Sequence, residues 1–257
     1  MSQPTSDNQP VVFEYPFEVR QRDVDQFDRI TPGALYGSMQ DAALAHSAAR
    51  NLSGPELLAR GYVWMLNRIH FVVDSPPMLL DQLRIRTWGS YFSGLYAVRE
   101  YNVLNNADEV LVRGTSRWLT IHVEKKRAVR MPDFISEHYG VHPDRGLENS
   151  FEKFHIPVES GHTMNFRVLW SDLDSNRHAN SARYFDWCVD ALPHDVVQQA
   201  RLAEFELDYK RELRLNDQLI SGSHRQQNGT ADGQQYLHRI TADDPDTLIA
   251  QARSRWI

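Results

Sequence analysis

The feature that most constrains this chain is an internal echo. Asp23-Val24-Asp25 in the first half returns as Asp172-Leu173-Asp174 in the second, and Asp41-Ala42 returns as Asp190-Ala191; each pair of counterparts stands 149 positions apart. Further on, Asp81-Gln82-Leu83 returns as Asp217-Gln218-Leu219, now 136 positions apart. Three matches in the same order point to a duplicated unit. The shorter spacing implies an extra piece of 13 residues in the first copy, which we place around Asn51 to Tyr62. A fold for this sequence must therefore be one that two similar halves can build together.

Each half reads in the same order. In the first, Val11 to Arg20 reads as a strand, followed by an acidic loop and a helix opened by Pro32, whose missing N–H costs nothing in a first turn. Leu35, Met39, Ala42, Ala43 and His46 recur at helical spacing. Strands follow at Val63 to Val73, Gln82 to Tyr91, Tyr96 to Leu104 and Val110 to Val123; Leu83, Ile85 and Thr87 alternate with Arg84 and Arg86. In the second half Met164, Phe166 and Val168 alternate with polar residues. An acidic loop then leads to a helix with Tyr184, Trp187, Cys188 and Ala191 on one face, Phe205, Leu207 and Tyr209 alternate again, and two or three more strands run to the end. Strand, helix, then several antiparallel strands is the order of a long helix wrapped by a sheet, the hotdog fold. The expectation is an α+β tandem (double) hotdog: a first unit over 1–131, a polar connection over 132–161 and a second unit over 162–257. Two such units can form internally the pair that single hotdogs form between chains, and a homodimer of the whole chain is left open.

Bulk properties exclude several classes. The chain has 257 residues, 41% hydrophobic and 24% charged, enough to bury a core without staples. Cys188 is its one cysteine, so no intrachain disulfide and no cysteine-built zinc site can form, which fits a reducing, cytoplasmic compartment. The opening Met1 to Asp7 is polar, unlike a signal peptide, and no apolar run is long enough to cross a bilayer. A net charge of -6 argues against nucleic acid or an anionic membrane as partner. No G-x-S-x-G, Walker, G-x-G-x-x-G or H-E-x-x-H pattern occurs. Asp172, Asp174 and Asn176 match the first ligands of a calcium loop, but Arg177 and Arg183 stand where that loop needs glycine and glutamate. No metal and no organic cofactor is expected.

Chemistry concentrates at Asp174, Asn176 and His178, alternate residues entering the second helix. Free N–H groups at a helix start favour the oxyanion formed when a carbonyl is attacked. An imidazole there can take a proton from water or orient a nucleophile, a carboxylate can act as base or attack directly, and an amide can hold the carbonyl or the tautomer. The bland alternative is a capping loop. The first copy shifts the balance toward chemistry: it has Phe27 in place of Asn176 and Arg29 in place of His178, although it too needs a helix start, and capping alone does not require that asymmetry.

The residues then carry a resemblance. Trp170-Ser171-Asp172-Leu173-Asp174, Asn176, His178, Asn180 and Tyr184 are similar to the W-S-D-L-D-x-N-x-H-x-N-N-x-x-Y stretch of the acyl-acyl-carrier-protein thioesterases, and Trp187 fits their downstream tryptophan. Tyr209-Lys210-Arg211-Glu212 resembles their Y-R-R-E. Asn67-Arg68, Val72-Val73-Asp74, Thr87-Trp88 and Thr115-Ser116-Arg117-Trp118 resemble segments of their first half. The resemblance implies hydrolysis of a fatty acyl thioester on acyl carrier protein. It implies Asp174, Asn176, His178 and Glu212 as the catalytic set, with Glu212 positioning the nucleophile or water, and an acyl chain bound in the first hotdog. Leu35, Met39, Trp64 and Met65 are candidates to line that pocket, with ordinary core as the alternative. Lys125, Lys126 and Arg127, with Arg130 nearby, are either a solvated turn or a dock for an acidic carrier. Leu213 stands where the plant enzymes have cysteine, so no mechanism using that thiol applies, and Ser181 replaces the second asparagine of the N-N pair. The sequence lacks the plant enzymes' long targeting extension, which suggests a bacterial-type form. An acyl-CoA thioesterase on the same fold and a non-catalytic acyl-binding module are the rival readings.

Overall fold

The computed structural model describes residues 11–154, 156–157, 161–226 and 233–257. The polar stretch Met1 to Asp7 and part of the 132–161 connection lie outside the described residues. The first half runs β1 (Phe13–Glu18), α1 (Pro32–Ala49), α2 (Gly54–Ala59), β2 (Tyr62–Val73), β3 (Gln82–Ser93), β4 (Tyr96–Leu104), β5 (Val110–His122) and β6 (Arg127–Val129), and then α3 (Asp133–Tyr139). The second runs β7 (His162–Arg167), α4 (Arg183–Asp190), α5 (His194–Gln199), β8 (Leu202–Tyr209), β9 (Gln218–Arg225), β10 (Gln234–Ala242) and β11 (Leu248–Trp256).

All the strands join one sheet in the order β1-β3-β4-β5-β2-β8-β11-β10-β9-β7, with β6 added against β5. The first five strands and the last five are the same arrangement read from opposite ends, joined where β2 lies antiparallel to β8. At that seam His70 pairs with Glu206, its own counterpart at a spacing of 136, and the flanking pairs Ile69–Leu207 and Phe71–Phe205 fall symmetrically about it. The duplication seen in the sequence is thus a local twofold through the middle of the sheet.

The helices pack on one face of the sheet. Leu35, Tyr36 and Met39 of α1 meet Tyr184, Phe185 and Cys188 of α4 within one core that also takes in Phe71 and Phe205 from the seam. Phe185 lies 4.9 Å from Phe205 and 5.6 Å from Phe71, ring centre to ring centre. Each fully buried side chain of this size stabilises the fold by about 1.5–3 kcal/mol. The helices touch where Gly33 allows it, since a Cβ there would sit 2.3 Å from Asp186 Oδ1.

Two expectations need correction. The second half does not hold one long helix: α4 ends at Asp190, and Pro193, lacking an N–H, starts a separate short turn of helix. Nor is 132–161 featureless. It contains α3, whose Ile135 and Tyr139 are buried, and its following residues are pinned to the outer face of the sheet. Arg145 Nε donates to Glu100 (2.6 Å), Asn149 Nδ2 to Glu206 (3.0 Å) and Arg68 Nη1 to the Glu152 carbonyl (2.7 Å). Arg68, almost wholly buried, also pairs with Asp208 (2.7 Å) and Glu206 (3.3 Å) across the seam.

Candidate active site

The acidic loop of the second half is a tight, self-bonded turn. Asp172 Oδ2 accepts from the Leu169 N–H (2.8 Å), and Asp174 Oδ1 accepts from the N–H groups of Asn176 (2.8 Å) and His178 (3.2 Å). The Asp174 N–H returns a bond to the His178 carbonyl (2.8 Å), and Arg177 takes a positive φ of 63° to complete the turn. Helix α4 begins only at Arg183, and it is Asn180 Oδ1 that accepts from the Ala182 N–H (2.9 Å). Asp174, Asn176 and His178 therefore lie in the acidic loop that leads to the helix, and the Asn180 side chain supports the turn just before the helix begins.

The loop is held against the segment after β8. Ala179 N–H donates to the Leu213 carbonyl (2.8 Å), and His178 and Arg214 form a bridge between backbones. Tyr184 Oη donates to the Arg211 carbonyl (3.3 Å), and Tyr209 Oη to the Ser181 carbonyl (2.9 Å). Glu212, between these anchors, brings Oε2 to 3.3 Å from His178 Nε2; the imidazole is half-buried and the carboxylate exposed. Among the described residues Asp174 Oδ2 has no partner, so the loop leaves one carboxylate oxygen available.

Beside Ser175 and Asn176 of this loop opens a cavity of about 490 Å³ whose remaining wall belongs to the first half. Gln40, Ala43, Leu44 and Ser47 contribute one stripe of α1, and Trp64, Phe92 and Trp118 face it from the sheet. A largely apolar pocket of this size suits a hydrocarbon chain. Of the four candidates for such a wall, Trp64 lines it. Leu35 and Met39 do not: they are on the α1 face turned to the sheet, where the Met39 methyl packs against Gly114. Met65, the strand neighbour of Trp64, is absent from the lining. Phe92, Trp118 and Gln40 were not singled out from sequence; a second i, i+3, i+4, i+7 stripe on α1 was the available signal for Gln40.

Cys188 is buried in the core, and burial pushes its thiol pKa up, so it is not a nucleophile. Lys125 and Lys126 form the exposed turn between β5 and β6, and Arg127 opens β6. That turn follows His122, which pairs with Tyr62, the neighbour of the cavity residues Val63 and Trp64. Among the described residues no cluster of His, Cys, Asp or Glu is placed to hold a metal, and no helix is long and apolar enough to cross a membrane.

Comparison with known proteins places the chain among relatives of known kind. The family profile of the acyl-ACP thioesterase N-terminal domain matches residues 10–139, and that of the C-terminal domain matches residues 156–257. Among curated relatives, an acyl-[acyl-carrier-protein] hydrolase of Cuphea viscosissima is 24% identical over 96% of this chain and 63% of its own length. A palmitoyl-acyl carrier protein thioesterase of Gossypium hirsutum is 25% identical over 96% of this chain and 64% of its own. The chain thus spans under two thirds of the length of these chloroplastic proteins. Among solved structures, an acyl-ACP thioesterase from Bacteroides thetaiotaomicron superposes with a TM-score of 0.84 at 19% identity, covering 99% of this chain and 100% of its own. The 12:0-ACP thioesterase of Umbellularia californica gives 0.84 at 21% identity, covering 96% and 94%. These likenesses establish the double hotdog.

Proposed function

The chain belongs to the acyl-ACP thioesterase family, and from that premise we propose that it hydrolyses fatty acyl thioesters of acyl carrier protein, releasing free fatty acid and ending chain elongation. The observation that carries this reading is the junction of the two halves: Ser175 and Asn176, in the loop whose His178 meets Glu212, line a largely apolar cavity built by the first half. A thioester placed at that junction has its hydrocarbon in the first hotdog and its carbonyl at the loop of the second.

With Glu212 3.3 Å from Nε2, a neutral His178 that gives its Nε2–H to the carboxylate keeps a lone pair on Nδ1. Either that lone pair or the carboxylate can take the proton of an attacking water. Asn176, at the cavity mouth, supplies an amide to the carbonyl side. Water's oxygen bonds to the carbonyl carbon, the C–S bond breaks, and the abstracted proton goes to the departing thiolate of the carrier. Asp174 fixes the loop through Oδ1, and the free Oδ2 is the atom that would attack in a route through an anhydride. His178 at its place beside Glu212 favours the water route.

The carrier, an acidic protein, is taken to dock on Lys125, Lys126 and Arg127, near the β2 end of the cavity. The compartment is taken to be the cytoplasm, where a lone buried thiol stays reduced. The test is thiol release from acyl-ACP and acyl-CoA of matched chains. Turnover of acyl-ACP is expected, with KM for the carrier form rising when the three basic residues become glutamine. No release from either carrier overturns hydrolysis. Equal rates on both, unmoved by the triple change, replace the carrier reading with a CoA thioesterase.

A further inference from the structure

The catalytic candidates all come from the second half, yet the cavity beside their loop also takes polar side chains from the first: Ser47 and Tyr139 bond each other, Arg99 bonds His46 and Thr87, and Gln40 is left over. Gln40 lies on α1 in the stripe with Ala43, Leu44 and Ser47, and lines the cavity beside Ser175 and Asn176. It is partly buried, and among the described residues no group hydrogen-bonds its carboxamide. With no protein partner, that carboxamide is free to bond a group placed in the cavity.

The duplication supplies an independent comparison. At a spacing of 149 the counterpart of Gln40 is Val189 on α4. Val189 lines a second cavity, of about 400 Å³, which shares with the first the image positions of Gln40, Ser175 and Asn176, namely Val189, Gln26 and Phe27; Arg29 and Pro76, the counterparts of His178 and Glu212 at spacings of 149 and 136, border it as well. Arg29 closes that image site by donating to Asp25 Oδ2 and to the Ala200 carbonyl (both 3.0 Å). The helix position beside the loop carries an amide where the loop brings Asn176 to the cavity, and a hydrocarbon where it brings Phe27. A structural role for Gln40 in packing the helix would not track the chemistry of a loop from the other half.

We propose that Gln40 is a catalytic residue contributed by the first half: its Nε2–H donates to the thioester carbonyl oxygen, opposite the attack governed by His178 and Glu212. The inference rests on the thioester-hydrolysis reading. As water's oxygen bonds to the carbonyl carbon, the C=O π pair moves onto the oxygen, and the Gln40 amide stabilises that charge. When the pair returns, the C–S bond breaks and the thiolate leaves with the proton held at His178 or Glu212. Such a donor acts on kcat because charge appears only in the transition state.

The experiment compares the full chain with Gln40→Leu, Gln40→Glu and Val189→Gln, measuring kcat and KM on acyl-ACP, melting temperature, and calorimetric binding of tetradecanoic acid as a probe of the cavity. For Gln40→Leu we expect kcat to fall about a hundredfold, with KM, melting temperature and tetradecanoate binding nearly unchanged. Gln40→Glu, the same size but with an acceptor in place of the donor, should fall at least as far, and Val189→Gln should match the unaltered chain. A kcat within threefold of the unaltered chain for Gln40→Leu overturns the proposal, as does a loss carried by KM or matched by loss of tetradecanoate binding. If the unaltered chain releases no thiol from any acyl thioester, hydrolysis itself falls; if it turns over and Gln40→Leu does too, only the role of Gln40 falls.

Discussion

The loops Asp23 to Thr31 and Asp172 to Asn180 have one backbone and two fates. In each, the first aspartate accepts from an N–H three residues earlier, the second accepts from two N–H groups through one oxygen, and a residue with φ near 60° closes the turn. Val24 bridges Ile30 as Leu173 bridges Ala179, and Arg29 bridges Met78 as His178 bridges Arg214. The difference is confined to side chains. Arg29 reaches back and occupies the free oxygen of Asp25 at 2.9 Å, whereas His178 turns away toward Glu212 and leaves Asp174 Oδ2 open. The acidic pattern that first drew notice is therefore architecture in both copies, and chemistry enters through what stands two and four residues after the second aspartate.

That contrast can be broken most sharply at its fourth position. His178→Ala should lower kcat on acyl-ACP by about 10²–10⁴-fold, the usual worth of a general acid–base group, while Arg29→Ala in the image loop leaves kcat within about threefold. Equal losses from the two changes, in steady-state thiol release, would mean that the halves are not divided as described.

The next largest effect concerns a buried histidine in each half. Burial, with Arg99 and Arg50 nearby, holds His46 down to a pKa of about 2, and burial holds His238 down to about 3. Both folded values lie below the unfolded 6.5, so each group's contribution is complete above pH 6.5 and is lost as pH falls toward 2 or 3. Within that window each weakens the fold by about 1.4 kcal/mol per pH unit at most. Urea unfolding at pH 7.5 and 5.5 should show the acid loss, and His46→Gln and His238→Gln should each remove part of it. A stability that does not change between the two pH values, or changes equally in all three chains, contradicts this account.

The smallest effect is shared by the two aspartates. Asp25→Ala and Asp174→Ala should each cost about 0.5–2 kcal/mol in thermal or urea unfolding, as losses of cap-like bonds do, but only the second should also slow turnover. If Asp25→Ala slows turnover as much as Asp174→Ala, the second carboxylate has no chemical part.

The order of elements was legible because each half repeats a strand–helix–sheet pattern whose periods differ, and Pro32, Asp25 and Asp174 mark the same loop twice. The candidate set came partly from the asymmetry between Phe27 and Asn176 and partly from resemblance. The cavity was harder to foresee. Helix α1 is apolar on two faces, so Leu35 and Met39 looked as eligible as the stripe through Gln40 and Leu44 that lines the space. Trp118 and Phe92 come from strands distant in sequence. The role of 132–161 was hidden for a similar reason: Arg68 finds Glu206 and Asp208 across more than half the chain, and Asn149 and Glu152 read as polar linker until that network lies beneath them.

The seam between β2 and β8 has a further consequence. Two separate hotdogs that paired this way would come from one gene, and a change suited to the working loop would appear in its partner as well. Here the strands that pair at Arg68 to Val72 and Glu204 to Asp208 belong to one covalent chain. The halves cannot part on dilution, nor can either take up a stranger in place of its twin. Each substitution is inherited by one side alone, so the two halves are free to diverge, as Phe27 and Arg29 have from Asn176 and His178.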